Sequence, residues 1–575
     1  MHWADVIAEK LMGKGGKHIL ATAITPSGPI HIGNMREVLT TEAIYRALID
    51  RGGEAKLIYI GDTYDPLRKV YPFLPKSYEK HVGKPLSEIP CPCGKHENYA
   101  LHFLSPFLKA LEELGIHPEV YLAHEMYEKG KYNEAIKTAL DNAAKIKKII
   151  EKISGRDLPD GWMPFNVKCS KCGKLNASVI KYEYPFIEYS CECGYKGKAD
   201  VRNGGIGKLP WRVDWPARWK IFGVTFEAFG KDHAASGGSW DTGKVIVEEV
   251  YKYPAPMPLV YEFIHLKGKG AMHGSTGTAI AAEEMLHMTP PEVLRFLLMK
   301  YEPSRHIEFD SGLGLLDLVD EYDKYERIVF EGKERQKHQE MKAREVPREI
   351  DLTRALHPVG SEKGLEATSA SHDFFFVDDQ TVIEISSDGN VAKGVTHEFA
   401  DIERVYELSQ PNARIPEKLP VQVPYRHIVT LVQIAKDWKG VFEILRRNGE
   451  IEKLSKYEEE KLKERIKKAQ YWLKNFAPEQ IKFEVKEKLP LKVSREQKRF
   501  FEMLKKELAR KQWNAEVIHA TIHEVAKSAD MPASKAFQYV YQLILGQKKG
   551  PRAGYFIHSL GREFIMKRLD EAIES

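Results

Sequence analysis

The sequence predicts an α/β fold built on a parallel sheet and continued by an all-α C-terminal region, and three stretches carry that prediction. The first is Lys17-His18-Ile19-Leu20-Ala21-Thr22-Ala23-Ile24, which passes through Thr25-Pro26-Ser27-Gly28-Pro29 into a helical pattern starting near His31 and running through Val38, Ala43, Ile44 and Leu48. That is a strand, a tight loop and a helix. The second is Lys56-Leu57-Ile58-Tyr59-Ile60-Gly61-Asp62, a strand whose polar end, Asp62-Thr63-Tyr64-Asp65, lies at the carboxyl edge of the sheet. Ligands bind at that edge in open α/β folds, although Asp62 and Asp65 read equally well as caps of the next turn. The third is a series of helical patterns over residues 428–447, 457–475, 495–510, 515–528, 534–545 and 561–573.

The first of these stretches organises the chain. His31 and Asn34 stand three apart in the first helical turn, which puts an imidazole and an amide on one face at the positive end of the helix dipole, a corner suited to phosphate. Gly28 lets the loop backbone take a positive φ, and Gly33 removes a side chain where a base or phosphate presses on the helix. The plain alternative is an ordinary strand-to-helix turn with a capped helix. In a long α/β chain, however, Pro26-Ser27-Gly28-Pro29-Ile30-His31-Ile32-Gly33-Asn34 resembles the HIGH signature of class I aminoacyl-tRNA synthetases, with Asn34 at the second His position.

At 575 residues, 43% hydrophobic and 29% charged, the chain has material for several domains with cores of their own. Its first residues lack a basic segment followed by an apolar block, and no apolar span approaches twenty residues, so a cytoplasmic location with no membrane partner is expected. The net charge of +5 requires any nucleic-acid contact to come from local patches.

Before the first strand, Trp3, Ile7 and Leu11 recur at helical spacing and predict a packing helix. The six cysteines fall in two clusters. Cys169-Ser170-Lys171-Cys172 and, after a β-like stretch, Cys191-Glu192-Cys193-Gly194 have the layout of a zinc ribbon, in which two knuckles supply four thiolates. Cys91-Pro92-Cys93-Gly94-Lys95-His96 lacks a fourth ligand, and His102 is the nearest candidate. Cys91, Cys93, His96 and His102 thus make a second structural zinc site, with free thiols beside surface histidines as the alternative. Helices are expected over residues 103–114 and 132–153.

Chemistry returns at Trp211-Arg212-Val213-Asp214-Trp215-Pro216-Ala217-Arg218-Trp219 and at a second polar strand end, Phe229-Gly230-Lys231-Asp232-His233. There Gly230 admits a ligand and Asp232 suits the two hydroxyls of a ribose. The tryptophans read either as core or, bracketed by Asp and Arg, as walls of an amino-acid pocket. With Asp241-Thr242-Gly243, Tyr261-Glu262-Phe263 and Leu545-Gly546-Gln547-Lys548-Lys549-Gly550-Pro551-Arg552-Ala553-Gly554, these blocks resemble class I lysyl-tRNA synthetases, mostly archaeal enzymes, over most of the chain.

The resemblance implies a Rossmann-type catalytic domain split by a zinc-bearing insertion and followed by an α-helical anticodon-binding domain. It implies that residues 26–34 and Asp232 bind ATP, with His31 and Asn34 on the phosphates in the transition state, Gly33 near adenine and Asp232 on the ribose. Ala23, Thr25, Trp215, His233 and Tyr261 fall around the lysine substrate, and Ala23 stands where the family usually has Gly. ATP as substrate, magnesium on its phosphates and tRNA(Lys) as acceptor follow from the same resemblance.

One departure stands out. Where the family carries a Lys-Met-Ser-x-Ser-Lys loop, this chain has Ala271-Met272-His273-Gly274-Ser275-Thr276, without either lysine. Losing a preorganised cation from a developing phosphate charge costs on the order of 3–4 kcal/mol. Lys269, just upstream in a Gly-rich stretch, is the expected substitute, with Ser275 retained in the loop and Lys267 and His273 as further donors.

Helices are expected over residues 291–299 and 314–327, and a β-hairpin at Phe374-Phe375-Phe376-Val377 and Thr381-Val382-Ile383-Glu384-Ile385. The expected domains are residues 1–84 and 206–280 (two halves of the catalytic domain), 85–205 (insertion with two zinc sites), 281–331 (stem contact), 332–402 (insertion) and 403–575 (anticodon domain). The implied activity is ATP-dependent lysine–tRNA ligation; the sequence does not decide between a monomer and a dimer, with a monomer favoured. The alternatives are a paralogue with weak or redirected adenylation and a non-catalytic tRNA-binding protein.

Overall fold

The computed structural model describes residues 1–268, 270–271, 279–345, 357–358, 373–376, 381–385, 391–435, 437–490 and 492–575. The chain packs as two units: Met1–Leu286, Pro291–Phe309 and Glu331–Ile415 form one, and His287–Pro290, Asp310–Phe330 and Pro416–Ser575 the other.

The first unit is organised by five parallel strands, β1 (His18–Ile24), β2 (Ala55–Gly61), β3 (Glu119–Leu122), β4 (Phe226–Gly230) and β5 (Met257–Tyr261), in the order β5-β4-β1-β2-β3. Leu57 to Gly61 of β2 and all of β4 are buried residue after residue, the signature of strands covered on both faces. The expected helix between β1 and β2 runs over Ile32–Asp50, and that of the N-terminus over Trp3–Met12. From β1 the chain steps outward to β2 and β3, then returns to the other side of β1 as β4. The strand order therefore reverses between β1 and β4, and the crevice outside their carboxyl ends is the topological switch point where such sheets take ligands. Thr25–Asn34 leave β1 there, and Lys231-Asp232-His233 leave β4.

Between β3 and β4 lie short helices and a separate sheet in which Asn166–Val167, Ala177–Glu183, Phe186–Ser190, Lys196–Asp200 and Gly207–Lys208 pair antiparallel. In this ribbon Ile187 and Tyr189 point inward while Phe186 and Glu188 face out, the alternation of a one-sided sheet. The single helix expected over 132–153 is two, Asn133–Asp141 and Ala143–Ser154. Asn142 leaves helical geometry between them, and each half keeps its own apolar face. Of the block Trp211 to Trp219, read either as core or as pocket walls, Val213 to Trp219 are buried in the helix Trp211–Phe222. The hairpin is present: Asp373–Phe376 pairs antiparallel with Thr381–Ile385, which pairs in turn with Val391–Glu398.

The second unit is helical. The pattern read over 428–447 is two helices, Tyr425–Ala435 and Trp438–Arg447, because the Asp437 carboxylate caps the second by accepting from the Gly440 N–H at 2.8 Å. Capping boxes at Ser455/Glu458 and Ser494/Gln497 start Lys456–Asn475 and Arg495–Arg510. The helix Ala553–Leu560 follows the Gly-Pro segment that the sequence pattern left without structure. The helix expected over 314–327 extends over Leu313–Glu345. Phe500, Phe501, Leu504, Ile518, Ile522, Leu543, Phe556 and Leu569 make the core of this region. Among the described residues no helix is long and apolar enough to cross a membrane.

Candidate active site

The loop after β1 is fixed at three points. Thr25 donates its hydroxyl to Asp65 Oδ2 at 2.9 Å, Ser27 O accepts from the Tyr99 hydroxyl at 2.7 Å, and Ile30 O accepts from the Ala282 N–H at 3.0 Å. Pro26, Ile30 and Ile32 are buried, Ser27, Gly28, His31, Gly33 and Asn34 are partly exposed, and Pro29 is exposed. His31 is the N-cap of the following helix: its Nδ1 accepts from the Gly33 N–H at 3.1 Å, while Asn34 Oδ1 accepts from the His31 N–H at 3.3 Å. The pair is thus a capping box, as the plain reading of the sequence had it. The cap also orients the ring, because a neutral imidazole whose Nδ1 accepts carries its proton on Nε2 and donates from that atom.

One turn along the same helix face stands Glu37, which spacing from Asn34 would have revealed. Its Oε1 accepts from the Ala23 N–H at 2.8 Å and its Oε2 from the Tyr261 hydroxyl at 3.2 Å, so it joins two of the expected lysine-pocket residues. Burial pushes its carboxyl up to about 8, with the charges of Glu227 and Asp232 adding to the shift. Across the crevice, Asp232 is exposed beside His233, whose Nε2 lies 3.8 Å from Asp232 Oδ2 and whose Nδ1 meets Ser239 Oγ at 2.8 Å. Gly230 keeps this corner open, since a Cβ would stand 2.7 Å from Asp232 Oδ1 and 3.0 Å from the Phe263 ring and both would have to give way.

Trp215 is only 2% exposed, and it packs among Trp211, Trp219, Phe229 and Trp240, with His233 5.4 Å away. Its indole N–H donates to Glu227 Oε1 at 3.0 Å, and Trp219 donates to Glu227 Oε2 at 2.5 Å. Burial raises the Glu227 carboxyl to about 7 against the pull of these two donors. The structure therefore groups Ala23 and Tyr261 around Glu37, groups Trp215 with His233, and ties Thr25 to Asp65.

Asp62 and Asp65 are neither open ligands nor turn caps. Lys208 donates to both, and Arg218 holds Asp62 through 2.5 and 2.6 Å contacts while also pairing with Asp214. Tyr127 donates its hydroxyl to Asp214. Burial alone would raise the Asp62 carboxyl, but the cations of Arg218 and Lys208 overcome it and hold the group at about 2. These partners lie 146 and 156 residues from Asp62, beyond the reach of any spacing argument.

Both cysteine clusters are assembled. The donor atoms of Cys169, Cys172, Cys191 and Cys193 lie within 4.8 Å of one another, as do those of Cys91, Cys93, His96 and His102. Nearest separations are 3.7 Å in the first and 3.3–3.5 Å in the second. A disulfide has its sulfurs about 2.05 Å apart. Tetrahedral metal–ligand bonds of about 2.0–2.3 Å place their donors at the observed separations. Either cluster can hold a metal ion. Lys269, Met272, His273, Gly274 and Ser275 lie outside the described residues, and Ala271 ends a short strand, Gly270–Ala271, paired antiparallel with Ile264–Leu266.

A family described as class I tRNA synthetases (K) matches residues 1–349, and an anticodon binding domain matches residues 450–573. The Lysine--tRNA ligase 1 of Methanosarcina acetivorans is 42% identical over 598 aligned residues, covering 100% of this chain and 98% of that one. The Lysine--tRNA ligase of Archaeoglobus fulgidus is 41% identical with full coverage of both chains, and that of Methanocaldococcus jannaschii 41% identical over 99% of each.

Proposed function

Since the chain belongs to the class I tRNA synthetases of the K type, we propose that it activates lysine with ATP and transfers the lysyl group to tRNA(Lys). The single observation that carries the amino-acid assignment is Glu37, a carboxylate in the crevice wall bonded to Ala23 and Tyr261. A lysine ε-ammonium seated on it restores the charge that burial suppresses, and Tyr261, bonded to the same carboxylate, lines the pocket beside it.

In the reaction the lysine carboxylate oxygen attacks the α-phosphorus of ATP, forming the O–P bond of lysyl-adenylate as the bond to pyrophosphate breaks. His31 Nε2–H and the Asn34 amide hold the phosphates at the helix start, and Asp232 accepts from the ribose hydroxyls. ATP is taken as its magnesium complex. Attack by the terminal ribose hydroxyl of tRNA on the lysyl carbonyl then releases AMP. Positioning and charge neutralisation carry most of the acceleration.

The Cys₄ and Cys₂His₂ clusters hold zinc in closed, structural sites that brace the region between β2 and β4. Elemental analysis of purified protein is expected to find two zinc per chain, and Cys191→Ser, at a buried ligand, to retain one. Two equivalents in that variant would remove zinc from the ribbon.

Lysine-dependent ATP–pyrophosphate exchange, screened against all the amino acids with and without tRNA, tests the function directly. Exchange with lysine alone is the expected result, and exchange with no amino acid rejects the reading. The missing lysines of the 271–276 loop favour one second reading, a slow or redirected adenylating paralogue. Exchange without tRNA charging would select it. Lys269→Ala is expected to lower exchange about a hundred- to thousandfold, and an unchanged rate would take Lys269 out of the mechanism.

A further inference from the structure

Of the three anchors on the ATP loop, the middle one comes from Tyr99, far along the chain at the start of the helix Tyr99–Glu113. Its ring is fully buried in a small core with Leu67, Tyr71, Leu74, Tyr78, Leu86 and Ile89, and Phe103 meets it edge-on at 5.0 Å. Its N–H donates to Ile89 O at 2.8 Å, and Asn98 caps the helix just before it by accepting from the Leu101 N–H. The phenol therefore has little freedom to move. It presents its hydroxyl to Ser27 O at 2.7 Å. The Ser27 N–H is in turn held on Thr25 O at 2.9 Å, so the chain on both sides of Ser27 is fixed.

A peptide unit is planar and trans, so its carbonyl and its N–H point in opposite directions. Tying Ser27 O to Tyr99 turns the Gly28 N–H to the other side of the loop. We propose that Tyr99 is a positioning residue for nucleotide binding: its hydroxyl sets the Ser27–Gly28 peptide so that the Gly28 N–H is presented to the phosphates of ATP. Backbone N–H groups before a helix start are effective phosphate donors only when they are pre-aimed. This inference rests on the reading of residues 26–34 as the ATP loop.

The same small core supplies a matched control. Tyr78 is also buried and donates its hydroxyl to a backbone carbonyl, Pro90 O at 2.9 Å, but that carbonyl belongs to the cysteine knuckle. Tyr99→Phe keeps the ring and removes one O–H, and Tyr78→Phe does the same 21 residues earlier in the chain. Steady-state pyrophosphate exchange and equilibrium ATP binding by calorimetry are compared in the two variants and the parent. Tyr99→Phe is expected to weaken ATP binding and raise the KM for ATP about three- to tenfold, the effect of one lost hydrogen bond. Its KM for lysine should not move, and Tyr78→Phe should alter neither constant. Unchanged ATP binding in Tyr99→Phe, or an equal loss in both variants, overturns the proposal. A parent protein that binds no ATP would instead overturn the reading of the loop, and the proposal with it.

Discussion

Glu37→Gln is expected to lower kcat/KM for lysine in pyrophosphate exchange about 10²–10³-fold while leaving the KM for ATP near the parent value. The amide keeps an oxygen for the Ala23 N–H and a polar group for Tyr261, so the site retains its shape and loses only the counter-charge for an ε-ammonium. Removing one partner of a desolvated, hydrogen-bonded charge pair costs about 2–5 kcal/mol, and the predicted loss lies inside that range. The pH dependence supplies a second signature. With its carboxyl at about 8 in the empty protein, Glu37 is mostly protonated at pH 7, and lysine must displace a proton to form the pair. The KM for lysine should therefore fall as pH rises towards 8 and level off above it, until the substrate ammonium itself titrates near its usual value of about 10.4. In Glu37→Gln that slope should vanish. Because the raised carboxyl binds its proton more tightly in the fold than in the unfolded chain, it lowers stability progressively as pH climbs from the ordinary carboxyl range towards 8. The variant should then be more thermostable than the parent at pH 8 without lysine. An active, lysine-selective Glu37→Gln would refute the pocket.

Asp62→Asn is expected to destabilise the first unit by about 3–5 kcal/mol, the cost of removing one charge from a buried ion-pair cluster. Arg218 and Lys208 both converge on this carboxylate, and Lys208 bridges it to Asp65, which holds Thr25. The measurement is urea unfolding followed by tryptophan fluorescence, since Trp211, Trp215 and Trp219 share a helix with Arg218. A carboxyl held at about 2 contributes its stability above the unfolded value near 3.9 and loses it as pH falls towards 2. The gap between variant and parent should accordingly be full at pH 7 and shrink below pH 4. A gap under 1 kcal/mol at neutral pH would show that the cluster does not hold this unit together.

What the sequence displayed depended on how local each signal was. The β1–loop–helix corner, the two cysteine clusters and most terminal helices follow from spacings of one to a few residues, and all of them formed where those spacings put them. The helix boundaries at Asn142 and Asp437 escaped because apolar periodicity runs through both, and only cap geometry separates the halves. Glu37 was visible in principle, three residues beyond Asn34 on the same helix face, but a glutamate at a helix position has solvent as its default surroundings. The burial that gives it a purpose comes from β1 and β5. The pairing of Asp62 with Lys208 and Arg218, and that of Tyr99 with Ser27, had no sequence signal, because these partners meet only once the region between β2 and β4 has folded back on the sheet.

The cap at His31 has a consequence for what kind of chemistry this corner performs. One ring nitrogen accepts from the Gly33 amide, so a proton reaching that atom would have to displace this cap bond before the imidazole could relay it. In the role proposed for it at the phosphates, the ring is in this way ill suited to act as a shuttle. It is left as a rigid dipole that stabilises charge without exchanging it, which suits a reaction whose bonds are made and broken at phosphorus by groups already ionised.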